Sequence, residues 1–189
     1  VEGESLAALL ARRGRLTVDE ALALLEQVLA GLGAAHRQGL IHRDIKPGNI
    51  LLDRVQRRAV LADFGLVKSL REGEGQTATG VVLGTVDYLS PEQGRGQTVD
   101  HRSDPYALGG GLYQMLSGQL PFTADSPTAL IFQHVYERPR PLTEVAVDVP
   151  PALGAVVAKL LAKSPEERHA DAQAVLAAVP PDRDVIVYC

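Results

Sequence analysis

The longest helical pattern in the chain lies between Thr17 and Gly39. Apolar residues recur there every three or four positions, which gives a helix one hydrophobic face. Thr17 followed by Glu20 is a capping box that marks the first turn, and Gly39 is typical of a helix end. The pattern predicts a long, half-buried helix inside a segment, residues 1–45, that is helical throughout. The repeating positions are Val18, Leu22, Leu25, Val28 or Leu29, Leu32 and Ala35.

The hydrophobic period changes after residue 49. Residues 50–52 and 60–62 are short apolar runs separated by polar residues, which predicts a small β-hairpin. Residues 69–80 follow with three glycines and no periodicity, which is typical of a mobile loop.

Helical patterning then returns four times. Asp104, Ser164 and Asp171 stand at or near starts of helical turns and are predicted N-caps. The inventory predicts an α+β fold that is mostly α, with a small hairpin after the first long helix. The four segments are 104–117, 126–135, 152–163 and 171–178.

Composition narrows the class of protein. The 189 residues are 46% apolar with a net charge of -4, which favours one compact domain and excludes a disordered chain. The chain has no block of Lys or Arg, so neither nucleic acid nor an anionic membrane is an expected partner. We expect no membrane segment, because no apolar run reaches the length needed to span a bilayer. The single Cys189 cannot form an internal disulfide, which favours the cytoplasm.

The densest cluster of chemically active residues occupies positions 42–49, and Asp63 follows it after the predicted hairpin. The two segments bring two acids, an amide and a cation together on loops that flank strands. Carboxylate and amide oxygens suit a hard cation such as Mg²⁺, and a lysine can neutralise a transferred phosphoryl group. The combination predicts a site for a phosphate and a divalent metal.

Four landmarks stand in the chain: HRDIKPGNILL from His42, DFG from Asp63, GTVDYLSPE from Gly84 and SDPYALG from Ser103. They resemble those of eukaryotic-like serine/threonine protein kinases in their bacterial form. They occur in the order of that family, and the similarity extends to about Val179. It implies the large, C-terminal lobe of a kinase over residues 1–179, with residues 180–189 as a tail or linker stub.

The resemblance implies a role for each matching residue around ATP and Mg²⁺, with Mn²⁺ as an alternative metal. Asp44 would accept or orient the proton of a Ser or Thr hydroxyl on a protein substrate, and Lys46 would lie beside the γ-phosphate. Asn49 and Asp63 would hold the metal. Leu51 would lie beneath the adenine, and Thr85 agrees with the Ser/Thr type.

The same resemblance implies regulatory and structural residues. Arg43 and Lys68 would form a basic pocket for a phosphorylated loop residue, for which Thr77 and Thr79 are candidates. The residues implied to be structural are His42, packed behind the site, Phe64, the ion pair of Glu92 with Arg168, and Asp104, bracing the catalytic-loop backbone. The remaining histidines show no ligand spacing and are expected on the surface or along helices; they are His36, His101, His134 and His169.

The chain also departs from the family. Its lysines are Lys46, Lys68, Lys159 and Lys163, so none precedes the catalytic loop to grip the α- and β-phosphates. A glycine-rich loop and a partner glutamate are missing too, and the chain does not begin with Met. We therefore expect the large lobe alone, binding ATP weakly and transferring phosphate slowly. Gly110 and Gly111, beside the family's Gly109, should each weaken a buried helix by about 1 kcal/mol.

Three functions follow from these patterns. The first is an ATP- and Mg²⁺-dependent protein serine/threonine kinase, and the second is a non-catalytic interaction module that lacks the small lobe. The third is a small-molecule phosphotransferase of the aminoglycoside type. The third is disfavoured because that class has Gly in place of Arg43 and lacks the segment 84–92. The sequence carries no signal for the oligomeric state.

Overall fold

A computed structural model of the chain describes residues 3–53, 55–56, 58–63 and 86–179. These residues form a mostly helical lobe with one small antiparallel sheet, in agreement with the predicted fold class. The strands are β1 (Gly3–Ser5), β2 (Ile50–Asp53) and β3 (Arg58–Leu61). The helices are α1 (Leu6–Arg13), α2 (Val18–Arg37), α3 (Pro91–Gly94), α4 (Ser103–Ser117), α5 (Pro127–Tyr136), α6 (Leu142–Val145), α7 (Pro151–Leu160) and α8 (Ala172–Ala178).

The predicted hairpin is present as β2 and β3, and β1 adds a third strand to it. β2 lies in the middle, with Ser5 opposite Leu51 on one side and Leu61 opposite Ile50 on the other. β1 has three residues, too few to show a period in the sequence. Its last residue also starts α1, because the Ser5 hydroxyl accepts the Ala8 N–H.

The prediction that residues 1–45 are helical is wrong in its extent. A break at Gly14, where φ is +79°, separates α1 from α2. The capping box of Thr17 and Glu20 is present at the start of α2, as predicted. α2 ends at Arg37, two residues before Gly39, and the chain then continues as a loop to the 3-10 turn Pro47–Asn49.

Helix α4 is the centre of the lobe and is buried on nearly all sides. It packs against α2, α6 and α7, which explains its apolar character all round. Gly109 permits the contact with α7, since a Cβ there would lie 2.7 Å from Leu160 Cβ. A Cβ on Gly111 would meet nothing within 4 Å. The three glycines therefore differ: only the first is required by close packing.

Helix α2 carries the apolar face that its pattern predicts. This face packs against α4, α8 and β3. The buried residues are Ala21, Leu22, Leu24, Leu25, Val28, Leu29, Leu32 and Ala35.

Three predicted helix boundaries need correction. α7 ends at Leu160 rather than residue 163, and the segment after Ser164 forms only the 3-10 turn Pro165–Glu167. α4 begins at Ser103, so Asp104 lies within its first turn and is not its N-cap. Asp171 does cap α8 through the Ala174 N–H. Among the described residues, no helix combines the length and apolar character needed to cross a bilayer.

Candidate active site

The hairpin brings the loop that contains Asp44 close to Asp63, which follows β3. The pairing of β2 with β3 continues one step beyond the strands, because the Ala62 N–H donates to the Asn49 carbonyl at 2.8 Å. Asp63 is the next residue, so it lies at the same end of the sheet as the loop that contains Asp44. Asp63 is exposed and has a left-handed backbone, with φ of +54°.

Asp44, Lys46 and Asn49 form one hydrogen-bonded cluster. The Asn49 side-chain amide donates to both the carbonyl and the carboxylate of Asp44, at 2.8 and 3.0 Å. Lys46 Nζ lies 2.8 Å from the same carboxylate oxygen, Oδ2. The Asp44 side chain is 39% exposed, so this fixed carboxylate still faces solvent.

The donor set fits a magnesium ion held together with a phosphate. Asn49 uses its amide nitrogen on Asp44, which leaves its side-chain oxygen as the available ligand atom. Asp63 supplies an exposed carboxylate at the same end of the sheet. In the part of the chain that the structure describes, no group of three or more His, Cys, Asp or Glu side chains forms a metal cage. Magnesium does not need one, because it is commonly bound by one or two protein oxygens plus phosphates and water.

Asp104 holds from the core the backbone of the predicted catalytic loop, residues 42–49. Its carboxylate accepts the His42 N–H at 2.9 Å and the Arg43 N–H at 2.8 Å. Only 1% of Asp104 is exposed, and Arg43 has the left-handed φ of +66°. These bonds stabilise a conformation that non-glycine residues rarely adopt.

Two histidines complete this arrangement. The Asp44 N–H donates to His42 Nδ1 at 3.3 Å, so His42 Nε2 carries the proton and donates to the Ala62 carbonyl at 3.0 Å. His42 therefore links the catalytic loop to the end of β3. His36 Nε2 lies 2.7 Å from the Asp104 carboxylate. No sequence pattern predicts this contact, because His36 stands alone at the end of α2.

The expectation of surface or helix positions for the other histidines is wrong for His169, which is buried outside the helices, whereas His134 lies in α5 as expected and is buried there. His134 is 1% exposed and His169 is 6% exposed. Burial lowers the pKa of His134 to about 4, and the charge of Lys163 acts in the same direction. Tyr106 Oη lies 3.0 Å from His134 Nδ1, so this histidine is part of the packing between α4 and α5.

Glu92 and Arg168 form a buried ion pair. Two hydrogen bonds of 2.7 and 2.8 Å join the guanidinium to both carboxylate oxygens, and Ser103 donates its hydroxyl to the same carboxylate. Burial raises the pKa of Glu92, but the bonds from Arg168 and Ser103 outweigh it, so the pKa is lowered overall. The pair connects α3 to the segment between α7 and α8.

The structure places some of the remaining sequence-predicted residues and not others. Leu51 is half-buried in the central strand, between Ser5 and Val60. The Arg43 side chain is exposed. A cavity of about 460 Å³ opens beside Lys46 and Gly48. Phe64, Lys68, Thr77, Thr79 and Thr85, the predicted loop 69–80 and the tail from residue 180 lie outside the described residues.

One loop of this helical lobe carries an aspartate, a lysine and an asparagine, and a second aspartate follows the hairpin beside it. This arrangement defines the large lobe of a phosphotransferase-like protein. In a comparison with protein-family models, the family described as "Protein kinase domain" matches residues 1–178. The chain belongs to the protein kinase domain family.

Bacterial serine/threonine kinases are among its relatives. The chain is 43% identical over 170 residues to "Serine/threonine-protein kinase PknB" of Mycolicibacterium smegmatis, a match that covers 89% of the chain and 27% of that relative. It is 44% identical over 176 residues to "Serine/threonine-protein kinase PknL" of Mycobacterium tuberculosis, which covers 93% of the chain and 43% of the relative. The chain thus spans less than half the length of these curated relatives.

Proposed function

We propose that this chain is the large lobe of a protein serine/threonine kinase, which transfers the γ-phosphate of ATP to hydroxyl groups of proteins. The observation that carries the proposal is the cluster of Asp44, Lys46 and Asn49 at the end of the sheet where Asp63 also lies. The names of the relatives support the same reaction class.

Asp44 receives the substrate hydroxyl. Its carboxylate is oriented by Asn49 and Lys46 but remains open to solvent on one side. A carboxylate held in this way can accept a hydrogen bond from a Ser or Thr hydroxyl and take its proton as the phosphoryl group is transferred. Because little covalent chemistry is required of the protein, this positioning accounts for much of its contribution.

The negative charge of the nucleotide phosphates is balanced by Lys46 and by a metal ion that Asn49 and Asp63 would bind. Asn49 and Asp63 would hold the magnesium ion, which, when bound, neutralises charge on the phosphates. Lys46 Nζ lies 2.8 Å from Asp44 Oδ2 and its side chain is partly exposed, so it can contact the γ-phosphate while its charge orients Asp44. Leu51, half-buried in β2, offers an apolar surface for the adenine.

The protein substrate approaches from the side of the cavity beside Lys46. The lining combines α1 with the 3-10 turn Val86–Tyr88 and the end of α4, so a chain lying there passes directly in front of the catalytic loop. Its residues include Ala7, Leu10, Lys46, Gly48, Asp87, Tyr88 and Gln114. The mixture of apolar and polar groups suits an extended peptide that presents one hydroxyl to Asp44.

The test is phosphate transfer from labelled ATP to a protein substrate by the protein that contains this chain, with and without the change Asp44→Asn. We expect a fall in kcat of about 100- to 10,000-fold, because the acceptor of the hydroxyl proton is lost. Asp148→Asn is the matched control, since Asp148 is exposed and pairs only at the surface with Arg15. Equal rates in the two variants would refute the role of Asp44.

A second measurement separates a catalyst from a binding module. Asp63→Asn should weaken the binding of Mg²⁺-ATP, which calorimetric titration measures directly. A wild-type protein that binds Mg²⁺-ATP and transfers no phosphate to any protein tested would support a non-catalytic module in place of a kinase.

A further inference from the structure

Gln93, in the short helix α3, forms hydrogen bonds with both ends of its side-chain amide. Its Oε1 accepts the Ser90 N–H at 3.0 Å and the Ser90 hydroxyl at 2.9 Å. Its Nε2 donates to the Arg43 carbonyl at 2.9 Å. A backbone N–H can only donate and a carbonyl can only accept, so one orientation of the amide satisfies both neighbours. The bond to Arg43 therefore requires the nitrogen of a glutamine.

Capping of α3 does not explain this requirement. In a capping box the third helical residue needs only an acceptor, and Glu or Gln serves equally well. The described residues contain one box of each kind, with Glu20 at the start of α2 and Gln93 at the start of α3. The donor at position 93 is thus additional to the needs of the helix, and Arg43 receives it.

Arg43 is restrained on both of its peptide groups. Asp104 accepts its N–H at 2.8 Å, and Gln93 donates to its carbonyl. The left-handed φ of +66° is rare outside glycine, so a residue in this conformation relaxes unless its neighbours hold it. Rotation about either backbone bond of Arg43 breaks one of these two contacts. The carbonyl held by Gln93 belongs to the peptide group that leads directly into Asp44.

We propose that Gln93 is a positioning residue that ties α3 to the catalytic loop and thereby holds Asp44 in its working orientation. The inference rests on the proposed function and adds a residue that the motifs do not assign. Asn49 fixes the Asp44 carboxylate relative to the Asp44 backbone, and Gln93 fixes that backbone relative to α3. Loss of the second link should misalign the carboxylate and leave the nucleotide site intact.

Gln93→Glu is the informative variant. It preserves the size of the side chain and the acceptor for Ser90, but it places an oxygen against the Arg43 carbonyl. We expect kcat to fall about 10- to 100-fold, as for a small displacement of a reacting group. The KM for ATP and the thermal midpoint should stay near the wild-type values, because the cap persists. Amide hydrogen exchange over residues 42–44 should become faster in the same variant.

Two further variants provide the comparison. Gln93→Ala removes the cap as well as the link, so it should lower the thermal midpoint in addition to kcat. Glu20→Gln makes the equivalent substitution in the other capping box. It should change neither kcat nor the rate of amide hydrogen exchange over residues 42–44.

The outcomes that overturn the proposal are distinct. Unchanged exchange over residues 42–44 in Gln93→Glu would show that the link does not hold the loop, whatever the activity. Faster exchange with wild-type kcat would show that the link does not serve catalysis. A wild-type protein without transferase activity would refute the proposed function and the catalytic role of Gln93 together, while exchange still reports the backbone link independently.

Discussion

The glycines of α4 allow a sharp test of how the centre of the lobe is packed. Gly109 and Gly111 are both buried in the same helix, two residues apart, and differ in the space beside them. A methyl group on Gly109 would lie 2.7 Å from Leu160 Cβ, whereas one on Gly111 would meet no atom within 4 Å. Replacing each by alanine changes the same number of atoms in two opposite packing environments.

The magnitudes follow from helix propensity and packing. Alanine is favoured over glycine in a helix interior by about 1 kcal/mol, so Gly111→Ala should raise the free energy of unfolding by about that amount. Gly109→Ala gains the same term but forces α4 and α7 apart, because a Cβ cannot rotate away. Overpacking of this kind costs about 1–3 kcal/mol, which leaves this variant unchanged to about 2 kcal/mol less stable.

Urea denaturation of the purified chain, followed by far-ultraviolet circular dichroism, measures both free energies of unfolding. Gly110→Ala is a useful intermediate, since its methyl group would lie 3.3 Å from Tyr88 Cδ1, a side-chain atom that can shift slightly. We expect the order Gly111→Ala, then Gly110→Ala, then Gly109→Ala, from most to least stable. A Gly109→Ala variant as stable as Gly111→Ala would refute the close contact of α4 with α7.

Two further predictions concern buried charges. Glu92→Gln leaves the Arg168 guanidinium without its anion, and we expect a loss of about 3–5 kcal/mol in the free energy of unfolding. A loss as small as that of the exposed control Glu166→Gln would contradict this. Burial lowers the pKa of Lys163 from 10.5 to about 8, with the charges of Arg168 and Arg95 acting in the same direction. The unfolded chain then binds more protons than the folded chain, so this residue makes stability rise with pH between the two pKa values. Urea titrations from about pH 7.5 to 9.5 should show that rise in stability. The rise should be smaller in Lys163→Met and unchanged in the exposed control Lys159→Met. An equal rise in both variants would exclude Lys163 as its source.

The sequence was most informative where a pattern extends over many residues. The face of α2 and its capping box could be predicted because the helical period repeats over twenty residues. β1 could not, because three residues have no measurable period and pair only after the chain has folded. The capping box indicated a helix start at Thr17, but the end of α1 at Gly14 was not predicted, since α1 and α2 are both amphipathic and their patterns run together.

The candidate site divides in a similar way. The motifs indicate Asp44, Asn49 and Asp63 by their order along the chain, and their catalytic roles stay predictions. The resemblance implied contacts for Asp104 that are present, whereas local sequence favoured it as an N-cap. The place of a carboxylate in the sequence does not show whether it caps its own helix or binds the backbone of a distant loop. The contact of the Gln93 amide could not be predicted, because its partner, the Arg43 carbonyl, lies fifty residues away in the chain.

The position of Asp104 has a consequence for moving this chemistry to another scaffold. Loops that carry reactive groups are often treated as portable parts, to be transplanted with only their two ends matched. Here the loop conformation depends on a carboxylate that belongs to the first turn of the innermost helix. A transplant of residues 42–49 would leave that support behind, and the unit that can be moved intact is the loop together with its buried helix.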